Sequence, residues 1–112
     1  MLKVVIIDDD LEFCNSFKQV LDQNISKIAS TYMIDVISKD FINSLNVLDY
    51  DIIFLDIDLK GANGIALAHT ISKLRKKTTI IIFVSSRNDL VFESLSVQPF
   101  HFIRKSIFMK LF

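Results

Sequence analysis

The sequence has 112 residues, 51% of them hydrophobic and ten of them Phe, which suits one globular domain and argues against a disordered chain. Thirteen basic residues balance thirteen acidic ones, so the chain lacks the net positive charge that nucleic-acid and anionic-membrane binders generally use. A single cysteine, Cys14, excludes an internal disulfide, and no apolar run is long enough for a signal peptide or a bilayer span; we expect a cytoplasmic protein without membrane or direct nucleic-acid contact.

The first predicted elements are a buried strand and an amphipathic helix. The continuous apolar run from Lys3 to Ile7 predicts the strand. Helical spacing from Leu11 to Leu21 predicts the helix, and Asp9 with Glu12 predicts a capping box at its start. Its predicted inner face comprises Leu11, Cys14, Phe17, Lys18 and Leu21.

Strands and helices continue to alternate along the rest of the chain. Further strands are predicted at Tyr32 to Ile37, Asp51 to Leu55, Thr79 to Val84 and His101 to Arg104. Further helices are predicted at Asp40 to Leu48, Gly64 to Leu74, Asn88 to Leu95 and Ser106 to Phe112. Continuously apolar strands alternating with helices are typical of a doubly wound α/β domain, a parallel sheet with helices on both faces.

The last predicted helix has only the segment from Ser106 to Phe112, whereas a covering helix normally needs about 10–14 residues. We therefore expect that this helix is truncated and that residues 1–112 are one domain of a longer protein. A sheet face left partly uncovered would be apolar, which predicts self-association, as a homodimer or a swapped oligomer.

Polar side chains follow four of the predicted strands at their carboxyl ends. Asp8 and Asp9 follow the first strand, Asp56 the third, Ser85 the fourth and Lys105 the last. The carboxyl ends of parallel strands lie at one edge of a sheet, where doubly wound domains bind their ligands. Clustered carboxylates repel one another, and an all-oxygen site suits Mg²⁺ or Mn²⁺, so the sequence predicts a divalent cation there.

Each of these residues, taken alone, has an ordinary structural explanation. Aspartate and serine commonly cap helices, a single lysine is usually a solvated surface charge, and Gly61 and Gly64 could simply provide positive φ angles after Asp56. The functional prediction depends on their arrival at the same sheet edge, since several unrelated structural explanations would otherwise have to coincide.

Four segments resemble the signature segments of response-regulator receiver domains, in the same order and at similar spacing: VVIIDDD, IIFLDIDLKGANG, IIFVSS and PFHFIRKS. The segment SVQPFHFIRKS is most similar to the corresponding segment of LytR/AgrA-type regulators, in which a DNA-binding domain follows the receiver. The resemblance implies a CheY-like, flavodoxin-like (βα)5 three-layer sandwich with strand order 2-1-3-4-5. It also implies a sensor histidine kinase as partner and transcription control through a DNA-binding domain that this chain does not include.

The resemblance also implies a role for each residue of the site. Asp56 would be the phosphoacceptor, and Asp8, Asp9, Asp56 and the backbone carbonyl of Asp58 would hold Mg²⁺. The other implied roles are the switch hydroxyl, the phosphate-contacting lysine and the switch aromatic, at Ser85, Lys105 and Phe102. The chain departs from the family pattern at two positions, because Ser106 and Lys60 stand where proline is usual.

Two other functions are compatible with the same residues. A pseudo-receiver, which signals by protein contact without phosphorylation, would fit the departures at Lys60 and Ser106. A Mg²⁺-dependent aspartyl phosphatase with Asp56 as nucleophile and Asp58 as acid would fit the Asp-x-Asp pair, although such enzymes usually carry this pair on the first strand and need a longer chain. The favoured prediction is a signalling switch, not a turnover enzyme.

Overall fold

The structure, a computed structural model, describes residues 1–39, 49–59, 64–74, 78–85 and 100–105. The helices predicted at Asp40 to Leu48, Asn88 to Leu95 and Ser106 to Phe112 lie outside this part of the chain, and so does the expected truncation of the last helix. Within it, each predicted strand and helix is found, with bounds that differ from prediction by a few residues at most.

The described elements are five strands and two helices. The strands are β1 (Leu2–Ile7), β2 (Tyr32–Ile37), β3 (Ile52–Leu55), β4 (Ile80–Ser85) and β5 (Phe100–Arg104). The helices are α1 (Leu11–Ile25), four residues longer than predicted at its end, and α2 (Gly64–Leu74), as predicted. Among the described residues, no helix combines the length and the apolar character needed to span a membrane.

All five strands form one parallel sheet in the order β2-β1-β3-β4-β5, which confirms the implied topology. The strand order reverses at β1, because β2 pairs on one side of it and β3 on the other. The carboxyl ends of β1 and β3 are therefore neighbours at the point where a doubly wound sheet opens a crevice.

The two faces of the sheet are covered by different helices. Alternate residues of β1 point to opposite faces, so that Val5 and Ile7 pack with α2 whereas Val4 and Ile6 pack with α1. Both faces are apolar, which explains why the strands read as continuous hydrophobic runs in the sequence. Helix, sheet and helix form the three layers that the sequence predicted.

The start of α1 differs from prediction. The N-cap is Asp10, whose Oδ1 accepts a hydrogen bond from the Phe13 backbone N–H at 3.0 Å, so the predicted Asp9–Glu12 capping box is wrong. The buried face is also shifted: Leu11 is 54% exposed and Lys18 is exposed, whereas Phe13 is buried. The apolar face still includes Cys14 and Phe17, so the helix covers the sheet with a slightly rotated stripe.

Gly64 begins α2 directly against the segment that follows β3. A Cβ added there would lie 2.3 Å from the Ile57 Cα and 2.5 Å from the Asp56 carbonyl oxygen, and the Gly64 N–H donates to the Ile57 carbonyl at 3.3 Å. Its φ does not lie in the positive region, so the explanation by positive φ is wrong for Gly64 and close backbone approach takes its place. Gly61 lies outside the described residues.

Candidate functional site

Backbone hydrogen bonds carry the strand pairing one residue past the ends of β1 and β3. The Asp8 N–H donates to the Ile37 carbonyl at 3.1 Å, and the Asp56 N–H donates to the Ile7 carbonyl at 2.9 Å. Asp8 and Asp56 are thereby fixed beside each other at the crevice. Neither position depends on a flexible loop, because both backbones are still held by the sheet.

Three carboxylates meet at this edge. Asp8, Asp9 and Asp56 can each offer an oxygen such that all three oxygens lie within 4.8 Å of one another. Asp8 and Asp56 are nearly inaccessible, with 1% and 4% of their surfaces exposed, whereas Asp9 is half-buried. The site opens to solvent through a cleft of about 500 Å³ that is lined by Asp9, Asp10, Leu11, Asp56, Asp58, Leu59 and Lys105.

Lys105, the residue after β5, places its ammonium between two of these carboxylates. Its Nζ lies 2.8 Å from Asp8 Oδ2 and 3.2 Å from Asp56 Oδ2. The contact with Asp56 is also a hydrogen bond. The contact with Asp8 is an ion pair without hydrogen-bond geometry, so Asp8 Oδ2 is buried with a compensating charge but accepts no hydrogen bond from the residues that the structure describes.

The electrostatics of the site follow from this burial. Desolvation, opposed by Lys105 and the Asp10 N–H and reinforced by the charge of Asp56, raises the pKa of Asp8 to about 6. For Lys105, burial acts to lower the pKa of the ammonium, but the contacts with Asp8 and Asp56 outweigh it and the pKa is raised. The lysine is therefore held in its charged form, and a further cation would favour the charged form of Asp8.

The carboxylates fit a hard divalent cation. The site offers oxygen donors, which Mg²⁺ and Mn²⁺ prefer, and their mutual distances allow them to share one ion. The burial of Asp8 and Asp56 side by side is a further indication, since neighbouring buried carboxylates repel each other and a cation would offset that repulsion. Asp8, Asp9 and Asp56 are the residues that could hold the ion.

The other predicted site residues lie around this cluster. The Asp58 N–H donates to Asp56 Oδ1 at 3.0 Å, and its own side chain is exposed. Ser85 ends β4 and is fully buried. Phe102 lies on β5, where it pairs with Phe83 of β4, but its side chain lies outside the described part of the structure. Lys60 and Ser106 lie outside it as well.

Sequence reasoning missed one residue that contacts the site. The Lys105 Nζ lies 4.5 Å from the centroid of the Phe13 ring, a cation–π contact from the first turn of α1. The predicted inner face starts from Leu11 and therefore does not include Phe13. Its spacing of four from Phe17 was the available signal, since residues four apart lie on one side of a helix.

Comparison with known proteins agrees with this geometry. The family model described as the response regulator receiver domain matches residues 4–111. The sensory transduction protein LytT of Bacillus cereus is 26% identical over 110 residues, which cover 94% of this chain and 42% of that protein. The transcriptional regulatory protein LytR of Staphylococcus aureus is 28% identical over 106 residues, 93% of this chain and 41% of LytR. The chain thus spans about two fifths of these relatives.

Solved structures share the fold at low sequence identity. A receiver domain of a DNA-binding response regulator from Colwellia psychrerythraea has a TM-score of 0.75 and 18% identity, over 99% of this chain and 98% of that one. TrrA from Thermotoga maritima, solved in complex with Mg²⁺-BeF, has a TM-score of 0.72 and 21% identity over the whole of both chains. Since the family model matches nearly every residue and the fold agrees, the chain belongs to the response regulator receiver domain family, with relatives of the LytR and LytT type.

Proposed function

We propose that this receiver domain accepts a phosphoryl group on Asp56 and that Mg²⁺ or Mn²⁺ is required for the transfer. The observation that carries the proposal is the cluster of Asp8, Asp9 and Asp56 within 4.8 Å, with the Lys105 ammonium 3.2 Å from Asp56. A carboxylate nucleophile, a cation site and a fixed ammonium are the components that phosphoryl transfer to aspartate needs.

Asp8, Asp9, Asp56 and the backbone carbonyl of Asp58 would hold the cation. When bound, it supplies positive charge that offsets the negative charge of the phosphoryl oxygens. The structure of TrrA with Mg²⁺-BeF supports this assignment by analogy, because that protein shares the fold. The low exposure of Asp8 favours it as well, since a cation would compensate a carboxylate that water barely reaches.

Asp56 would attack the phosphorus atom of a phosphohistidine on a sensor histidine kinase, or of a small acyl phosphate. A new bond forms between an Asp56 oxygen and phosphorus, and the bond between phosphorus and the donor's leaving group breaks. The Asp58 N–H orients the Asp56 carboxylate through Oδ1, and Lys105 lies beside Oδ2, ready to pair with a phosphoryl oxygen. The domain would in this way assist its own phosphorylation and dephosphorylation and would not be a turnover enzyme.

Ser85 and Phe102 would turn phosphorylation into a change of surface. The Ser85 hydroxyl, at the buried end of β4, would move towards the phosphoryl group and donate to one of its oxygens. Phe102 on the neighbouring strand would then move into the space that Ser85 leaves. This couples a local charge to the surface around β5 and the helix predicted at Asn88 to Leu95. The output would be a changed preference for a protein partner or for a homodimer.

The larger relatives suggest where the signal goes. Because this chain spans about two fifths of LytT and LytR, we propose that it is the cytoplasmic receiver part of a transcription regulator, residues 1–112 forming one domain. DNA would be bound by the remainder of such a protein. The receiver itself, with no net charge, would contact neither nucleic acid nor membrane.

Intact-mass spectrometry after incubation with acetyl phosphate tests the proposal. Wild-type protein with Mg²⁺ should gain a single phosphoryl group that hydroxylamine removes, and chelation of the metal or Asp56→Asn should abolish the gain. Asp49→Asn is the matched control, because it removes one exposed carboxylate outside the site. Phosphate on Asp56→Asn would contradict the assignment, and continuous release of inorganic phosphate over many turnovers would favour the phosphatase.

A further inference from the structure

We propose that Phe13 is a positioning residue for Lys105, a role that rests on the proposed phosphoryl transfer. Among the residues that the structure describes, the ammonium contacts Asp8 Oδ2 at 2.8 Å, Asp56 Oδ2 at 3.2 Å, and the Phe13 ring, whose centroid lies at 4.5 Å. The first two neighbours are reactive or cation-binding groups whose charge changes during the transfer. The ring is the neighbour that stays constant, because its interaction with a cation does not depend on metal or phosphoryl.

Phe13 is itself fixed at both its backbone and its ring. Its N–H donates to the N-cap Asp10 at 3.0 Å, which sets the first turn of α1. Its ring lies 5.5 Å from that of Phe17, and Phe17 packs edge-on against Phe54 of β3 at 4.9 Å. A row of three rings therefore runs from the sheet core to the ammonium, and the Phe13 ring packs against the apolar side chain of Phe17.

Lys105 needs such a support more than most lysines. Its side chain has four rotatable bonds, and holding it over the site costs conformational entropy. The next residue, Ser106, does not restrict the backbone as proline would. The side chain is nevertheless only 16% exposed, so its stem and head are enclosed by protein. The Phe13 ring supplies a fixed surface for the ammonium, which remains in place when Asp8 and Asp56 bind a metal ion or when Asp56 carries a phosphoryl group.

The ring should therefore affect the rate of phosphorylation through Lys105 alone. Loss of a cation–π contact of ordinary strength corresponds to roughly a threefold to tenfold slower reaction with acetyl phosphate at saturating Mg²⁺. Phe13→Tyr keeps the ring face and should react at nearly the wild-type rate. Phe13→Leu keeps the apolar character without a ring and should be slowed by that factor.

Phe17→Leu is the matched control. It removes a ring from the same row, and one that is more deeply buried, but Phe17 is not the ring over which the ammonium lies. Leu at this position still gives the Phe13 ring an apolar side chain to pack against, and the Phe13 N–H keeps its bond to Asp10. We therefore expect Phe17→Leu to lower the unfolding temperature at least as much as Phe13→Leu while its rate stays within about twofold of wild type. Should Phe13→Leu lose cooperative unfolding, Phe13→Met replaces it, since Met fills more of the vacated volume.

A double-mutant cycle separates positioning from packing. In a Lys105→Ala background, Phe13→Leu should cause no further slowing, because the group through which Phe13 acts is gone. Equal slowing in both backgrounds, or a Phe17→Leu variant slowed as much as Phe13→Leu, would overturn the proposal. An unchanged rate for Phe13→Leu would overturn it as well.

A second readout does not require phosphorylation. After reductive ¹³C-methylation of lysines, the methyl signal of Lys105 should carry the ring-current shift of Phe13, and this shift should vanish in Phe13→Leu and persist in Phe17→Leu. If wild-type protein accepts no phosphoryl group, the proposed function fails while this shift still reports whether the ring holds Lys105. A Lys105 signal that is the same with and without the ring would refute the contact itself.

Discussion

Asp8 carries a buried negative charge that a bound cation would stabilise. It is 1% exposed, its Oδ2 accepts no hydrogen bond among the described residues, and burial raises its pKa to about 6. Lys105 compensates its charge, but the same ammonium is shared with Asp56. A second positive charge at this edge is therefore expected to stabilise the charged form of Asp8.

Asp8→Asn should weaken Mg²⁺ binding at least tenfold while leaving the fold intact, because the amide keeps the shape of the carboxylate but not its charge. Isothermal titration calorimetry measures the affinity, and circular dichroism checks the fold. Asp49→Asn, which removes an exposed carboxylate, should bind Mg²⁺ like wild type. An Asp8→Asn variant with unchanged affinity would show that the ion binds elsewhere.

Cys14 gives a pH dependence that can be assigned to one group. The thiol is fully buried and donates to the Asp8 carbonyl at 3.4 Å. Desolvation is the largest cause, and the negative charge of Asp8 the second, of a rise in its pKa from 9.0 to about 12. The unfolded thiol ionises near pH 9, whereas the folded one stays protonated, so the stability from this group is complete below pH 9 and is lost as the pH rises towards 12.

Urea unfolding between pH 8 and 11 should therefore show a decline in wild type that is smaller in Cys14→Ala. Tyr50, whose pKa burial and Asp35 raise to about 12, should contribute a decline to both proteins alike. Alkylating reagents should reach the thiol only in urea. Rapid labelling of the native protein, or parallel pH curves for the two proteins, would contradict this account of Cys14.

At the scale of elements, the three consecutive aspartates after β1 have two different roles, as a helix cap and as part of the carboxylate cluster. Asp10 caps α1, and Asp9 belongs to the carboxylate cluster. Asp10→Ala should lower the free energy of unfolding by about 1 kcal/mol, the usual cost of losing an N-cap, whereas Asp9→Ala should cost less but weaken Mg²⁺ binding. Urea denaturation with and without Mg²⁺ measures both effects. The reverse order of stabilities would restore Asp9 as the cap.

The start of α2 is defined by a close approach to the segment that carries Asp56. Gly64→Ala would improve helix propensity, yet its Cβ would meet the Ile57 Cα at 2.3 Å. We expect the clash to prevail, with a loss of about 1–3 kcal/mol in unfolding free energy and slower phosphorylation as Asp56 is displaced. Urea denaturation and the acetyl phosphate assay measure these effects, and a stabilised Gly64→Ala protein would contradict the close approach.

The sequence predicted the elements well because strand and helix periods differ clearly. Continuous runs such as Ile52–Leu55 mark strands that are buried on both faces, and the parallel order then brings their carboxyl ends together. The cap of α1 could not be chosen, because Asp8, Asp9 and Asp10 are all suitable caps and only the exit angle of the chain from β1 selects one.

Contacts between elements that are distant in the chain cannot be predicted from this sequence. Nothing in the sequence joins Phe13 to Lys105, since their contact depends on how α1 and the end of β5 are placed against the sheet. The close approach of Gly64 to the backbone of Ile57 cannot be predicted either, because a glycine in a sequence is equally compatible with a positive φ and with tight packing. The carboxylate cluster was predictable because sheet topology alone determines it.

At the scale of the whole molecule, the proposed function would connect the charge-dense edge of the sheet to the surface beside β5. Asp56, Ser85 and Lys105 lie at the carboxyl ends of three strands that are neighbours in one sheet, β3, β4 and β5. A phosphoryl group on Asp56 would therefore act on two adjacent strands at once. Because packed strands shift as units, a small movement at the edge would reach the surface beside β5.

Backbone NMR with beryllofluoride, a mimic of the phosphoryl group, tests this central claim most directly. With Mg²⁺ and beryllofluoride together, the signals of Asp56, Ser85 and Lys105 should shift and those along β5 should follow, whereas either addition alone should leave β5 unchanged. Asp56→Asn should abolish the response. A spectrum that does not change with both additions would contradict phosphoacceptance at Asp56 and would favour an interaction module that works without phosphorylation.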